Sequence, residues 1–163
     1  MRSRIHPFTL LLCALPLLAA CGQDHAPAEH ATPVAGQTVD TTPAIPRTPA
    51  PEGARVFFIT PVDGAVMTGT FTVEFGVEGM AVVRAGDNAP VSGHHHLLID
   101  TDLPDLALPI PADANHVHFG DGRSSTEMTL PAGSHTLQLL FGDHLHIPHD
   151  PAVYSERITV TVE

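Results

Sequence analysis

Half of the 12 histidines in this chain come in pairs with one residue between them. His94, His95 and His96 stand together in Gly93-His94-His95-His96-Leu97-Leu98-Ile99-Asp100. His116/His118 and His144/His146 follow, and His149 lies in Pro148-His149-Asp150-Pro151. On a β-strand, side chains alternate faces at ~3.3 Å per residue, so His94 and His96 share a face ~6.6 Å apart along it. Two imidazoles so placed are able to hold one metal ion between their nitrogens. Neutral imidazole is the commonest protein ligand for borderline divalent metals, and Zn²⁺ takes three or four donors, with nitrogen at ~2.0–2.1 Å. His94/His96 together with His116/His118 or His144/His146 supply four nitrogens, and His149 is able to bend back onto the same point. An all-nitrogen set suits Zn²⁺, Cu²⁺ or Ni²⁺ better than Ca²⁺ or Mg²⁺. Cu⁺ prefers sulfur, and the region offers only the scattered Met67, Met80 and Met128. Asp100, Asp121, Asp143 and Asp150 are the candidate acceptors for imidazole N–H groups behind the ligands. Asp100 itself lies ~13 Å beyond His96 along an extended strand, too far to share the ion.

Other uses of these histidines compete with that reading. His95 shares a face with Leu97 and Ile99, and His135 shares one with Leu137, Leu139 and Phe141, so both are expected to be structural. Single histidines near strand ends commonly order loops, which leaves a structural or interaction module without metal as the alternative. Clustered imidazoles titrating near ~6.5 would also register pH. An enzyme is not expected. A metalloenzyme needs an open coordination position and a nearby acid or base, yet Glu74, Glu78, Glu127 and Glu156 all stand apart from the histidine motifs. Nucleophile elbows, phosphate loops and paired carboxylates are missing too.

Short strands must position these groups. Arg55–Ile59 is the first, closed by the turn Thr60-Pro61-Val62-Asp63-Gly64. Thr70–Val77 alternates with Phe71, Val73, Phe75 and Val77 on one face, and Gly93–Asp100 follows. Residues 101–125 are rich in Pro, Asp, Gly and Ser and read as loops around a short strand at His116–Phe119. Met128–Leu130, His135–Phe141, a brief extension at His144–Ile147, and Ser155–Val162 complete the pattern. About seven short strands with regular turn signals and no amphipathic helix predict an all-β fold, an antiparallel immunoglobulin-like β-sandwich over residues 54–163. A core of that size folds without disulfides.

The first part of the chain sets the expected compartment. Arg2 and Arg4 precede an apolar run from Phe8 to Leu18, too short to span a bilayer comfortably. Leu18-Ala19-Ala20-Cys21 followed by Gly22 resembles the bacterial lipoprotein signal, which implies a signal peptide over 1–20 and a lipidated Cys21. The membrane, through lipid on Cys21, is then the first expected partner. Gly after the Cys implies the periplasmic face of the outer membrane. Residues 21–53 read as a flexible Pro/Ala/Thr-rich linker, and His25 and His30 within it as solvated. With Cys13 lost in the signal, the mature domain has no thiol ligand. Acidic residues outnumber Lys plus Arg by 18 to 7, with a net charge of −11. That balance excludes nucleic acid as a partner, because phosphates need basic side chains. A protein partner in the envelope stays open.

The motifs Gly93–Asp100, His118-Phe119-Gly120, Leu130–Leu140, Asp143-His144 with His146, and Pro148-His149-Asp150-Pro151 resemble a family of bacterial envelope domains of unknown function. The likeness runs over nearly all of residues 57–162 and implies a small exported β-domain, with no catalytic residue to carry over. Arg123-Ser124-Ser125 and Ala152 depart from the family pattern, both in loops. His116-Val117-His118-Phe119-Gly120-Asp121 is also similar to the copper-ligand segment of copper–zinc superoxide dismutase. That segment has a further residue between the histidines and the Phe-Gly-Asp, and the dismutase disulfide and active-site Arg are absent here. A metalloenzyme of that type ranks third.

Overall fold

The computed structural model describes residues 45–163. The expected signal peptide, Cys21 and the expected linker up to residue 44 lie outside the described residues. The chain builds nine strands in order: β1 Arg55–Thr60, β2 Ala65–Met67, β3 Thr70–Glu78, β4 Ala81–Val82, β5 Ser92–Ile99, β6 His116–His118, β7 Ser125–Thr129, β8 Gly133–Gly142 and β9 Ile158–Val162. No helix occurs among the described residues.

One sheet has the order β1-β3-β7, antiparallel throughout. The other has the order β2-β9-β8-β5-β4, with β6 also paired to β5. Three consecutive antiparallel neighbours, β9-β8-β5, facing β1-β3-β7 give the immunoglobulin-like sandwich. Period-two alternation explains the core between the sheets. Phe71, Val73 and Phe75 of β3 face Leu97 and Ile99 of β5, Leu137, Leu139 and Phe141 of β8, and Ile158, Val160 and Val162 of β9. Truncating one of these, such as Leu139 to Ala, costs ~2–5 kcal/mol through lost transfer energy and the cavity left behind.

Three local features differ from the sequence-based expectation. First, β5 is buried on both faces along its whole length. The segment after it folds back over the outer face, packing Ile110, Leu103 and Leu106 against Leu98 and Leu140. His94 and His96 therefore do not face outward into solvent, because the rings of His118 and His146 pack against both and Ile110 of the returning loop lies across from His96. Second, His144–Ile147 is a turn instead of a strand extension, closed by the His146 amide donating to the Asp143 carbonyl at 2.9 Å. Third, the last residues of the expected linker join the fold. Ala50 donates to the Asp150 carbonyl, Asp150 donates to the Thr48 carbonyl, and the Arg47 guanidinium donates to the carbonyls of Pro148 and His149. The 148–151 loop has unpaired carbonyls to offer, and residues 47–50 satisfy them.

Candidate metal centre

β5 supplies the first two rings. His94 and His96 are fully buried on its outer face, with Nε2 atoms 3.1 Å apart. β6 supplies the third through register: His118 stands opposite His96, while His116 stands opposite Leu98. The fourth comes from the turn after β8. His146 adopts a left-handed backbone (φ 65°) and brings its Nε2 to 3.2 Å from that of His118. His94, His96 and His118 each offer a ligand atom within 4.8 Å of the others. The His146 ring centre is 4.7 Å from that of His118, 4.8 Å from that of His94 and 5.8 Å from that of His96. A tetrahedral ion with ~2.0–2.1 Å bonds to nitrogen needs donors ~3.3–3.4 Å apart. The two observed Nε2 separations, 3.1 and 3.2 Å, fall within a few tenths of that edge. The donor set fits a divalent transition metal.

Glycines make the room. A Cβ on Gly120 would lie 2.3 Å from Cε1 of His118, and one on Gly142 would lie 3.1 Å from Nε2 of His96. A Cβ on Gly93 would meet the Gly142 carbonyl at 2.4 Å. Asp143, buried at the head of the 144–147 turn, holds its shape. One carboxylate oxygen accepts from the amides of Leu145 at 2.9 Å and Ile147 at 3.0 Å, and the other from the Thr48 hydroxyl at 2.7 Å. Burial alone would raise this carboxyl, but the hydrogen bonds from Thr48, Ile147 and Leu145 outweigh it and hold it below the usual carboxylate range. Gly120, Gly142 and Thr48 carry no chemistry of their own, so the sequence offered only the turn dipeptide Gly142-Asp143 as a signal.

The rings are held in the neutral form that binds metal. Desolvation, then the neighbouring His146 and His118, lower His94 to about 4. Desolvation followed by His94 and His118 lowers His96 to about 2. His118 is also lowered, chiefly by desolvation. Nδ1 of His94 and of His96 is buried with no protein hydrogen-bond partner. An unpaired buried polar group costs ~1–3 kcal/mol, and such exceptions ask for a functional explanation.

The remaining candidates go elsewhere. His116 turns its Nδ1 to Asp113 at 2.8 Å. His149 donates from Nε2 to the Ser92 carbonyl at 3.1 Å and stacks on Phe141, fastening its loop to the start of β5. His144 is half-buried beside Asp143 and its ring pairs with none of the four. Asp100 is bound to His135 and the Thr136 amide, Asp121 to Arg123, and Asp150 to Arg47. Asp143 lies near His94 and Asp121 near His118, yet Asp143 braces the turn and Asp121 pairs with Arg123 instead of an imidazole N–H. His135 is a hydrogen-bonded structural residue, tied to Asp100 and the Pro131 carbonyl. His95 lies in the core between Phe75 and Phe141, ring centres 4.7 and 5.0 Å away.

A pocket of 280 Å³ opens on His96, His118 and His146, with Pro109, Ile110 and Leu145 across from them. A larger hollow of 460 Å³ runs beside β1 near Phe57 and Tyr154, but no imidazole lines it. The chemistry converges at the smaller one.

Fold and site together define a small β-sandwich domain with a four-imidazole cluster under a loop. By comparison with known families, residues 73–163 match the domain of unknown function DUF4399, and the chain belongs to that family. The matched stretch contains all four converging histidines and stops short of Arg47 and Thr48. No curated protein matches the chain. Among solved structures, the Clostridium thermocellum CbhA fibronectin(III)-like modules align at 13% identity, over 66% of this chain and 92% of theirs, with a TM-score of 0.32. That likeness is too distant to argue from.

Proposed function

We propose that this is a lipid-anchored domain of the bacterial envelope that binds Cu²⁺ or Zn²⁺ through Nε2 of His94, His96 and His118, with His146 as the fourth donor. Storage, delivery or sensing of the metal is the role, and no catalysis is assigned. The observation that carries this reading is the close approach of Nε2 atoms from three separate elements at nearly the spacing of a tetrahedral site. No carboxylate lines the pocket beside the rings, which favours binding over acid–base chemistry. The anchor at Cys21 and the periplasmic location rest on the signal-like first 21 residues alone.

Calorimetric titration of the untagged full-length protein in non-ionic detergent tests the site. Binding at about 1 μM or tighter is expected, with a rise in the thermal midpoint because the ion selects the folded state. His118→Ala removes a ring from an exposed position, so the fold should persist while affinity falls at least tenfold. Affinity weaker than roughly 100 μM, or equal affinity in His118→Ala and His94→Ala/His96→Ala, overturns the reading.

A further inference from the structure

A divalent ion held by four imidazoles keeps both of its charges, because every donor is neutral. The carboxylates that bear on the rings are Asp143, near His94, and Asp121, near His118. Asp121 is already matched by the Arg123 guanidinium, at 2.8 Å. Asp143 therefore leaves one positive charge unbalanced, and that charge faces the 280 Å³ pocket bounded by His96, His118 and His146. The opposite wall is Pro109, Ile110 and Leu145, with Ala112 at the edge, and no charged side chain lines it. Building on the metal reading, we infer that this pocket binds a small organic monocarboxylate, its oxygen entering from the pocket side as a fifth donor, which Cu²⁺ accepts beyond four nitrogens, and its hydrocarbon body against Pro109, Ile110 and Leu145.

The charge count selects a monoanion. A dicarboxylate or phosphate would set a second anionic group against Ile110 and the prolines with nothing to pair it. The apolar wall selects a body of a few carbons over acetate or chloride. Binding is coordination without bond rearrangement, so no redox partner or leaving group enters.

Cu²⁺-loaded full-length protein in non-ionic detergent, followed by its visible absorption band, provides the test. Butyrate should move the band saturably, at concentrations on the order of tenfold lower than acetate, because two more methylenes are buried. Succinate should bind no better than acetate. Ala112→Trp fills the mouth from an exposed position, and Leu145→Ala, also exposed, removes part of the apolar wall without bringing a charge to the metal. Both should keep Cu²⁺ affinity within about twofold while weakening butyrate at least tenfold. Equal responses to butyrate and acetate, or an unchanged butyrate response in both variants, overturn the pocket assignment and leave the metal reading standing. Failure of the unmodified protein to bind Cu²⁺ or Zn²⁺ overturns both.

Discussion

The four rings reach one another only because particular neighbours have no side chain. Gly120 is the sharpest case. Its backbone is not in the left-handed region, so Ala is conformationally acceptable there, yet the added methyl would press into His118 at 2.3 Å. The ring is the part able to move. Gly120→Ala should therefore shift His118 out of the cluster, lowering Zn²⁺ affinity at least tenfold by calorimetry while the metal-free thermal midpoint changes by no more than a few degrees. Equal affinity would mean that His118 is not a ligand. The sequence exposes the histidine pairs but not how they divide. His116 and His118 share a face, as strand alternation requires, and only register decides that His118 meets His96 while His116 meets Leu98. His144 and His146 are separated by turn geometry, which one-residue spacing does not reveal. Only the β5 pair contributes both of its rings.

At the scale of elements, the turn between β8 and the 148–151 loop decides whether His146 is available. Asp143 clamps that turn through the Leu145 and Ile147 amides, and Thr48 steadies the carboxylate from outside the family-matched region. Groups that orient metal ligands typically change affinity 10–100-fold when removed. Thr48→Val should thus weaken Zn²⁺ binding about tenfold, and Thr48→Ser should restore it, since the hydroxyl is what Asp143 accepts. A valine variant with unchanged affinity would show that the turn holds without help. Asp143→Ala should go further and lower the thermal midpoint, because the buried Ile147 amide loses its acceptor at ~1–3 kcal/mol and the part-buried Leu145 amide loses the same acceptor. The long alternating strands β3, β8 and β9 were legible because one apolar face repeats at period two. The two- and three-residue strands β4 and β2 were not, since so few residues cannot establish an alternation. The cover over β5 was hidden for a different reason. Pro and Asp mark 101–115 as loop, and the three apolar side chains that fold back have no periodicity.

Over the whole molecule, an acidic domain carries its histidines in two electrical environments, and its stability should follow pH accordingly. Burial holds His95 at about 4, far below its ordinary 6.5, and His94 and His96 are lowered in the same way. A group whose folded pKa is depressed contributes fully above its unfolded value, and that contribution is lost as pH falls toward the folded value. The metal-free protein should therefore keep a level thermal midpoint above about pH 6.5 and lose it steadily toward pH 4. His135 acts with the opposite sign. The hydrogen bond to Asp100 raises it, so its contribution is present below 6.5 and fades as pH rises through its folded value. Its partner Asp100 is exposed, so water screens the pair and its effect is the smaller. His95 separates core burial from the metal site. Both of its nitrogens are buried without partners, and an apolar residue of similar size should be tolerated where no hydrogen bond is lost. His95→Leu should raise the midpoint more at pH 5 than at pH 8, because only the histidine must stay uncharged to remain folded. Melts of both proteins at the two pH values decide this, and an equal shift at each would place the acid sensitivity elsewhere in the fold.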